Sequence, residues 1–258
     1  MTLFEAAIVG AGAFLAGGMN AIAGGGTFFS FPAMLMVGIP PVTANASNSV
    51  ALWPASVSSA WAYRREALRH GRWAALLGVV SLVGGLCGGL LLLATSNAAF
   101  SKLIPWLLLV ATMLFTFSAQ VSRAVAWAKG HMGLQSRDGP GGVGGVIFQT
   151  CVGIYGGFFG AGMGILTLAA LSIQGIEDAQ ELNALKCFTS AINYSIAAVT
   201  FIIAGAIDWP FTLIAMVTAG LGGYIGAHVA KRLPGQWLKR IVIAVGFTLT
   251  VVYFVKSA

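Results

Sequence analysis

Lys186 is the residue whose position most needs a chemical explanation. It lies in an apolar stretch, residues 179–205, about two helical turns from its start. A cation at that depth is costly enough to require a partner or a polar cavity. Spacing gives it company: Asn183, Lys186 and Ser190 fall at i, i+3 and i+7 on one helical face, which Asn193 and Tyr194 continue. An ammonium group flanked by hydroxyls and amides can hold a small anion. The competing readings are an ion pair with Glu181 or Glu177, or a side chain that snorkels to the surface.

A second polar run, Asn45, Ser47, Asn48 and Ser49, offers donors that can hold anion oxygens without another full charge. Hydrogen bonding between helices is the alternative use of such residues in a membrane, for Thr189 as for these. Glycines precede two short apolar stretches: Gly25 and Gly26 stand before Thr27, and Gly162 and Gly164 before Ile165. They let the backbone turn or approach a neighbour where a Cβ would clash. A helix starting at Thr27 or Ile165 also aims free N–H groups, its positive dipole end, at whatever lies before it. That suits an anion.

These features are positioned by a duplicated scaffold. Gly18, Gly24 and Gly26 recur as Gly156, Gly162 and Gly164, Asn45-Ala46 recurs as Asn183-Ala184, and Gly84, Gly85 and Gly88 recur as Gly222, Gly223 and Gly226. One offset, 138 residues, relates every pair (18 to 156, 45 to 183, 84 to 222). Only 8% of residues are charged and 58% are hydrophobic, too little polar surface for a water-soluble globule. Apolar stretches run over 5–23, 27–39, 43–63, 73–94 and 100–121, then 143–161, 164–176, 179–205, 209–230 and 237–256. The expected architecture is an all-α polytopic membrane protein of two five-segment repeats: residues 1–121, a linker over 122–142, and residues 143–258. Of about ten segments, the second of each half is too short to cross a bilayer alone and should form a hairpin with the first, whether crossing or re-entrant.

The net charge of +7 is not a nucleic-acid footprint. Eleven of the fourteen Lys and Arg cluster at 64–72, 123–137 and 231–240, leaving only Lys102, Lys186 and Lys256. Clusters of that kind mark cytoplasmic loops. The basic loop of Arg64, Arg65, Arg69 and Arg72 corresponds to an uncharged stretch ending in Asp208, so the second half is expected to run inverted, with both termini away from the cytoplasm. Inverted repeats are the architecture of secondary transporters, with the substrate near the midplane between the halves. Cys87, Cys151 and Cys187 lie in apolar stretches and read as small buried hydrophobes, not a disulfide framework. Trp73, Trp106, Trp209 and Trp237 read as interfacial belt residues, and Trp53 and Tyr155 as packing or cavity lining.

The hairpin glycines with Pro32, the run Ala44-Asn45-Ala46-Ser47-Asn48-Ser49, Asn183-Ala184-Leu185-Lys186, and Ala204 to Trp209 leading to Gly222-Gly223-Tyr224-Ile225-Gly226-Ala227 together resemble the sulfite exporter TauE/SafE family. The resemblance spans about residues 4–256, and the order, spacing and duplication carry it more than any one motif. One departure is Asn20-Ala21-Ile22-Ala23, where the family often has a glycine-rich run. The resemblance implies a carrier in the bacterial inner membrane for a small sulfur-containing anion such as sulfite, an organosulfonate or thiosulfate, usually ion-coupled. No cofactor is expected. A proton is a candidate coupling ion, but titratable groups are few: Glu5, Glu181, Asp208 and His228 each read first as interfacial. The bilayer is the other partner; lipid-facing and subunit-facing surfaces share a composition, so no oligomeric state follows. A passive channel is the alternative, separable by trans-stimulated counterflow. A membrane enzyme or assembly factor is disfavoured, because three scattered histidines form no metal-ligand spacing or triad, and no phosphate-cradling loop is present.

Overall fold

The computed structural model describes residues 2–22, 25–69, 71–117, 120, 143–174, 176, 178–230 and 235–257; the linker expected over 122–142 lies outside the described residues, as do His70 and Glu177. All regular structure among the described residues is helical. The first half comprises α1 (Leu3–Ile22), α2 (Thr27–Met36), α3 (Pro41–Ala62), a short α4 (Arg64–Leu68), α5 (Gly71–Ala94) and α6 (Asn97–Thr116). The second comprises α7 (Val143–Phe158), α8 (Met163–Ile173), α9 (Ala179–Ile203), α10 (Trp209–Ala230) and α11 (Gly235–Ser257). Four are long and apolar enough, by length and composition, to cross a membrane: α1, α5, α6 and α9.

Both short helices double back along the helix before them. On the first hairpin, a Cβ at Gly26 would meet the Ala16 carbonyl at 2.6 Å, and one at Gly12 would meet Ala33 Cβ at 2.5 Å. On the second, a Cβ at Gly156 would meet Met163 Sδ at 1.9 Å, and one at Gly145 the Gln174 side chain at 2.7 Å. Pairings that move apart in opposite directions along the two helices define an antiparallel hairpin. The second turn needs two glycines outright, since Gly160 and Gly162 hold φ of 80° and 77°. Its helix begins at Met163, two residues before the start expected at Ile165.

Packing across the halves is reciprocal. α1 packs on α10 and α5 on α7, α3 crosses α9, and α6 packs on α11. The two outer crossings are glycine contacts at backbone distance. A Cβ at Gly17 would come within 1.9 Å of the Ala219 carbonyl, and one at Gly88 within 2.1 Å of the Ile154 carbonyl. Without a hydrophobic drive between helices in lipid, such close approach supplies the attraction through dispersion.

α3 sits at the centre for a reason visible in its composition. It has 22 residues but, with Asn45, Ser47, Asn48 and Ser49, is too polar to rank among the candidate spans. All four are buried against protein, where their polar groups can be satisfied. Next to this polar segment is an aromatic cluster. Phe31 meets Phe159 edge-on at 5.6 Å and Phe100 at 6.3 Å, while Phe100 meets Phe158 at 5.6 Å. Apolar side chains such as Val79, Leu90, Leu91, Val110 and Val217 cover the outer faces of the helices, as lipid contact requires.

Three expectations need correction. Trp73 is buried among Leu77, Leu171 and Leu185 and is not a belt residue. Trp106 is exposed but lies mid-helix, packed edge-on against Phe254 at 5.1 Å. Cys87 and Cys151 are exposed thiols on outer helix faces; only Cys187 is buried.

Candidate functional site

The second hairpin and the middle of α9 enclose a polar cavity of about 50 Å³, room for a few waters. It is lined by Gly160, Met163 and Gly164 of the hairpin and by Lys186, Cys187, Ser190 and Tyr194 of α9. Asn20 from the end of α1, with Ser56 and Ser59 from α3, complete the lining. Lys186, Ser190 and Tyr194 are presented together because they recur every four residues, as the helical spacing implied. Lys186 lies along the start of α8, where a Cβ on Gly164 would sit 3.5 Å from Lys186 Cδ. Among the described residues Lys186 forms no ion pair.

The α8 terminus itself is partly unsatisfied. The amides of Met163, Ile165 and Leu166 donate to the Gly160 and Gly162 carbonyls, and Gly162, as N-cap, supplies no side chain. Among the described residues the Gly164 amide has no backbone acceptor. A lysine beside the positive end of a helix dipole, worth roughly half a unit charge, is an arrangement of like sign. An anion between them relieves it.

The remaining predicted residues are placed elsewhere. Asn48 is fully buried in the first hairpin: its Oδ1 accepts a short hydrogen bond from the Ser30 hydroxyl, and its Nδ2 donates to Thr27 Oγ1 at 3.5 Å. Thr27 in turn meets the Tyr194 hydroxyl, so one chain of contacts links the first hairpin to the cavity wall. Gly25 and Gly26 are buried at the turn, the Gly26 carbonyl accepting from the Phe29 and Ser30 amides. Asn45 donates to the Phe158 carbonyl at 2.8 Å, Ser49 to the Asn45 carbonyl at 3.0 Å, and Ser47 Oγ accepts from the Asp208 amide at 2.9 Å. Gly162 is one of the second turn's two left-handed glycines, facing Ala111. Asn193 turns from the cavity to the α5–α7 crossing, donating to the Gly153 carbonyl at 2.8 Å and the Ser81 carbonyl at 3.2 Å. Asn183 is half-buried near the start of α9, outside the cavity lining.

Tyr155 braces the second hairpin, donating to the Ala161 carbonyl at 2.7 Å, and Trp53 donates to Ser195 Oγ at 2.8 Å, tying α3 to α9. Asp208 caps α10. Sequence reasoning passed over Asn20, Ser56 and Ser59, and read Cys187 as a small buried hydrophobe. The repeat offset was a usable signal for one of them: Ser56 stands 138 residues before Tyr194 (56 to 194).

The cavity lies between the hairpin turn and the end of the bundle that carries the basic loop. Ser59 is near the end of α3, where α4 follows, and α4 packs on α9. There Arg64 donates to the Trp61 carbonyl at 2.7 Å, and its guanidinium lies 4.4 Å from the Trp61 ring centroid.

Apolar helices that can span a bilayer, packed around a polar central helix and a cationic cavity, define a polytopic membrane protein. The chain belongs to the sulfite exporter TauE/SafE family, whose profile matches residues 9–253. It is similar to a probable membrane transporter protein of Haemophilus influenzae, 27% identical over 240 residues, which cover 92% of this chain and 89% of that protein. A probable membrane transporter protein, ORF9, from Sinorhizobium sp is 26% identical over 242 residues, 93% of this chain and 88% of the relative. The probable membrane transporter protein YfcA of Escherichia coli K12 is 26% identical over 237 residues, 90% of this chain and 83% of the relative. No solved structure matches significantly. The likeness is nearly end to end, so it bears on the whole chain: this is a multi-pass membrane transporter.

Proposed function

We propose that the protein is a secondary transporter of the bacterial inner membrane that moves a small sulfur-containing anion, such as sulfite, an organosulfonate or thiosulfate, by alternating access. One observation carries the reading: Lys186, without an ion pair among the described residues, faces the positive end of α8 across a small polar cavity. A small anion would supply the counter-charge. The family description supports sulfur chemistry for it.

Alternating access is supported by the contrast along the bundle axis. Polar room lies toward the basic loop, while the aromatic cluster of Phe31, Phe100, Phe158 and Phe159 fills the other side of the hairpins. With the basic loops cytoplasmic, the cavity faces inward and both termini lie outside. The reciprocal helix pairing supports two inverted repeats, residues 1–121 and 143–258, with α2 and α8 as re-entrant helices. The amides and hydroxyls expected in the site divide by role: Gly164, Lys186, Ser190 and Tyr194 contact the anion, while Asn45, Ser47, Asn48, Ser49 and Asn193 hold the scaffold around it. Export is the direction that the family description favours, with a proton as the candidate coupling ion.

A thermal-shift screen of the purified protein in detergent tests this, with sulfite, thiosulfate, sulfoacetate, taurine, sulfate, phosphate and acetate as ligands. A ligand that binds only the folded state raises the melting temperature. The expected result is a selective shift with a sulfur anion, lost in Lys186→Ala while the variant's own melting stays cooperative. Equal shifts in the variant would remove Lys186 from the site.

A further inference from the structure

α3 carries an apolar groove of about 430 Å³, lined by Trp53, Pro54, Val57, Ser58 and Trp61. These positions recur at three- and four-residue intervals along one stripe of the helix, and Pro54, Val57, Ser58 and Trp61 are exposed. The stripe spans eight residues, about 12 Å of helix, close to the roughly 15 Å of hydrocarbon in one leaflet. At its Trp61 end the groove meets cations. The Arg64 guanidinium lies 4.4 Å from the Trp61 ring centroid and donates to the Trp61 carbonyl at 2.7 Å, which pins the charge at the mouth of the groove. Arg65, Arg69 and Arg72 follow, all exposed. None of the four arginines forms an ion pair among the described residues. The one carboxylate of residues 64–72, Glu66, has its Oε2 buried without a hydrogen-bond partner, so it neutralises none of them.

Charge complementarity selects the occupant. Hydrocarbon alone would cover the groove but leaves the arginines without a counter-charge. A second copy of this chain, related by a two-fold axis along the membrane normal, would set its own basic loop beside this one, like charge against like. We infer that the groove binds an anionic phospholipid of the leaflet next to the basic loop, with an acyl chain along Trp53 to Trp61 and the phosphate on Arg64 and its neighbouring arginines. A planar guanidinium fork matches phosphate oxygens, and basic clusters beside membrane helices attract anionic headgroups. The same helix supplies Ser56 and Ser59 to the Lys186 cavity, and α4 packs on α9, so the lipid braces the helix that completes the cavity. The inference does not depend on which solute is transported.

The test is native mass spectrometry of the full chain released from detergent micelles, with equal amounts of phosphatidylglycerol and phosphatidylcholine of identical acyl chains. Wild type is expected to retain phosphatidylglycerol in preference, and the preference should shrink as salt is raised. Arg65→Gln/Arg69→Gln should cut it roughly tenfold or more, on a scale of about fivefold for each arginine near an anionic surface. Val57→Trp, which fills the groove and leaves every charge in place, should also lower phosphatidylglycerol retention. Lys102→Gln removes a cation on another helix and should leave the preference as in wild type. Equal retention of the two lipids by wild type, a preference unchanged in the double variant, or an equal loss in Lys102→Gln overturns the inference. So does a lipid-free dimer that Val57→Trp dissociates, which would assign the groove to a second copy. If the double variant does not melt cooperatively, the same ratio is read on Arg65→Gln alone, where roughly a fivefold loss is required.

Discussion

The two hairpins share a backbone plan and use it oppositely. Gly26 and Gly164 are equivalent under the offset of 138 residues, and so are Asn48 and Lys186 (26 to 164, 48 to 186). In the first hairpin Ser30 reaches Asn48, Thr27 adds its hydroxyl, and the space is filled. In the second, Leu168 stands where Ser30 stands in the first, so the hairpin offers Lys186 no polar partner of its own and a cavity remains. At positions related by the offset, Asn48 is thus hydrogen-bonded within the protein while Lys186 lines a cavity.

Exchanging the paired residues puts the largest strain on that contrast. Asn48→Lys would bury an ammonium among Ser30, Thr27 and aliphatic neighbours, and an uncompensated buried charge costs several kcal/mol. We expect loss of monodisperse, cooperatively melting protein by size exclusion and thermal scan. Lys186→Asn in the open site should fold normally and lose only anion binding. If both variants fold equally well, the first hairpin is not the closed member.

The outer crossings are the next test, because there the two halves are alike and should respond alike. Gly17→Ala and Gly88→Ala each drive a Cβ into a facing carbonyl, at 1.9 and 2.1 Å, and the helices must separate. Overpacking of this kind costs about 1–3 kcal/mol. Gly10→Ala, with its nearest neighbour at 3.5 Å, is the matched control and should melt no lower than wild type. A large drop at one crossing and none at the other would break the reciprocity of the packing.

The effect confined to one hydrogen bond is expected at Ser30→Ala. It leaves Asn48 Oδ1 without its donor, at a cost of about 1–3 kcal/mol for a buried unsatisfied group, and should leave anion affinity unchanged by titration. A change in affinity without a change in melting temperature would move Ser30 into the substrate path.

The apolar periodicity made the helices legible: α3, α5, α9 and α10 begin and end within a few residues of the expected stretches, because segments that must be apolar for the bilayer stand out against charged loops. The helical face of Lys186, Ser190 and Tyr194 was legible for the same reason. Asn193 was not, since its position relative to that face depends on the α5–α7 crossing, a contact set by glycines far along the chain. The α3 part of the lining was harder still. Ser56 and Ser59 look like the other serines of a serine-rich helix end until the crossing with α9 turns two of them toward Lys186. Trp73 misled because a tryptophan near a helix end reads as interfacial until a neighbouring helix covers it.

The polarity of α3 also constrains how the chain is made. A segment too polar to rank as a span gains little by leaving the insertion machinery for lipid on its own. Three of its polar side chains, Asn45, Ser47 and Trp53, bond Phe158, Asp208 and Ser195, all from the second half. During synthesis those partners emerge more than a hundred residues later. A first half made alone lacks those partners for Asn45, Ser47 and Trp53, and half-length chains should be targets for membrane quality-control proteolysis.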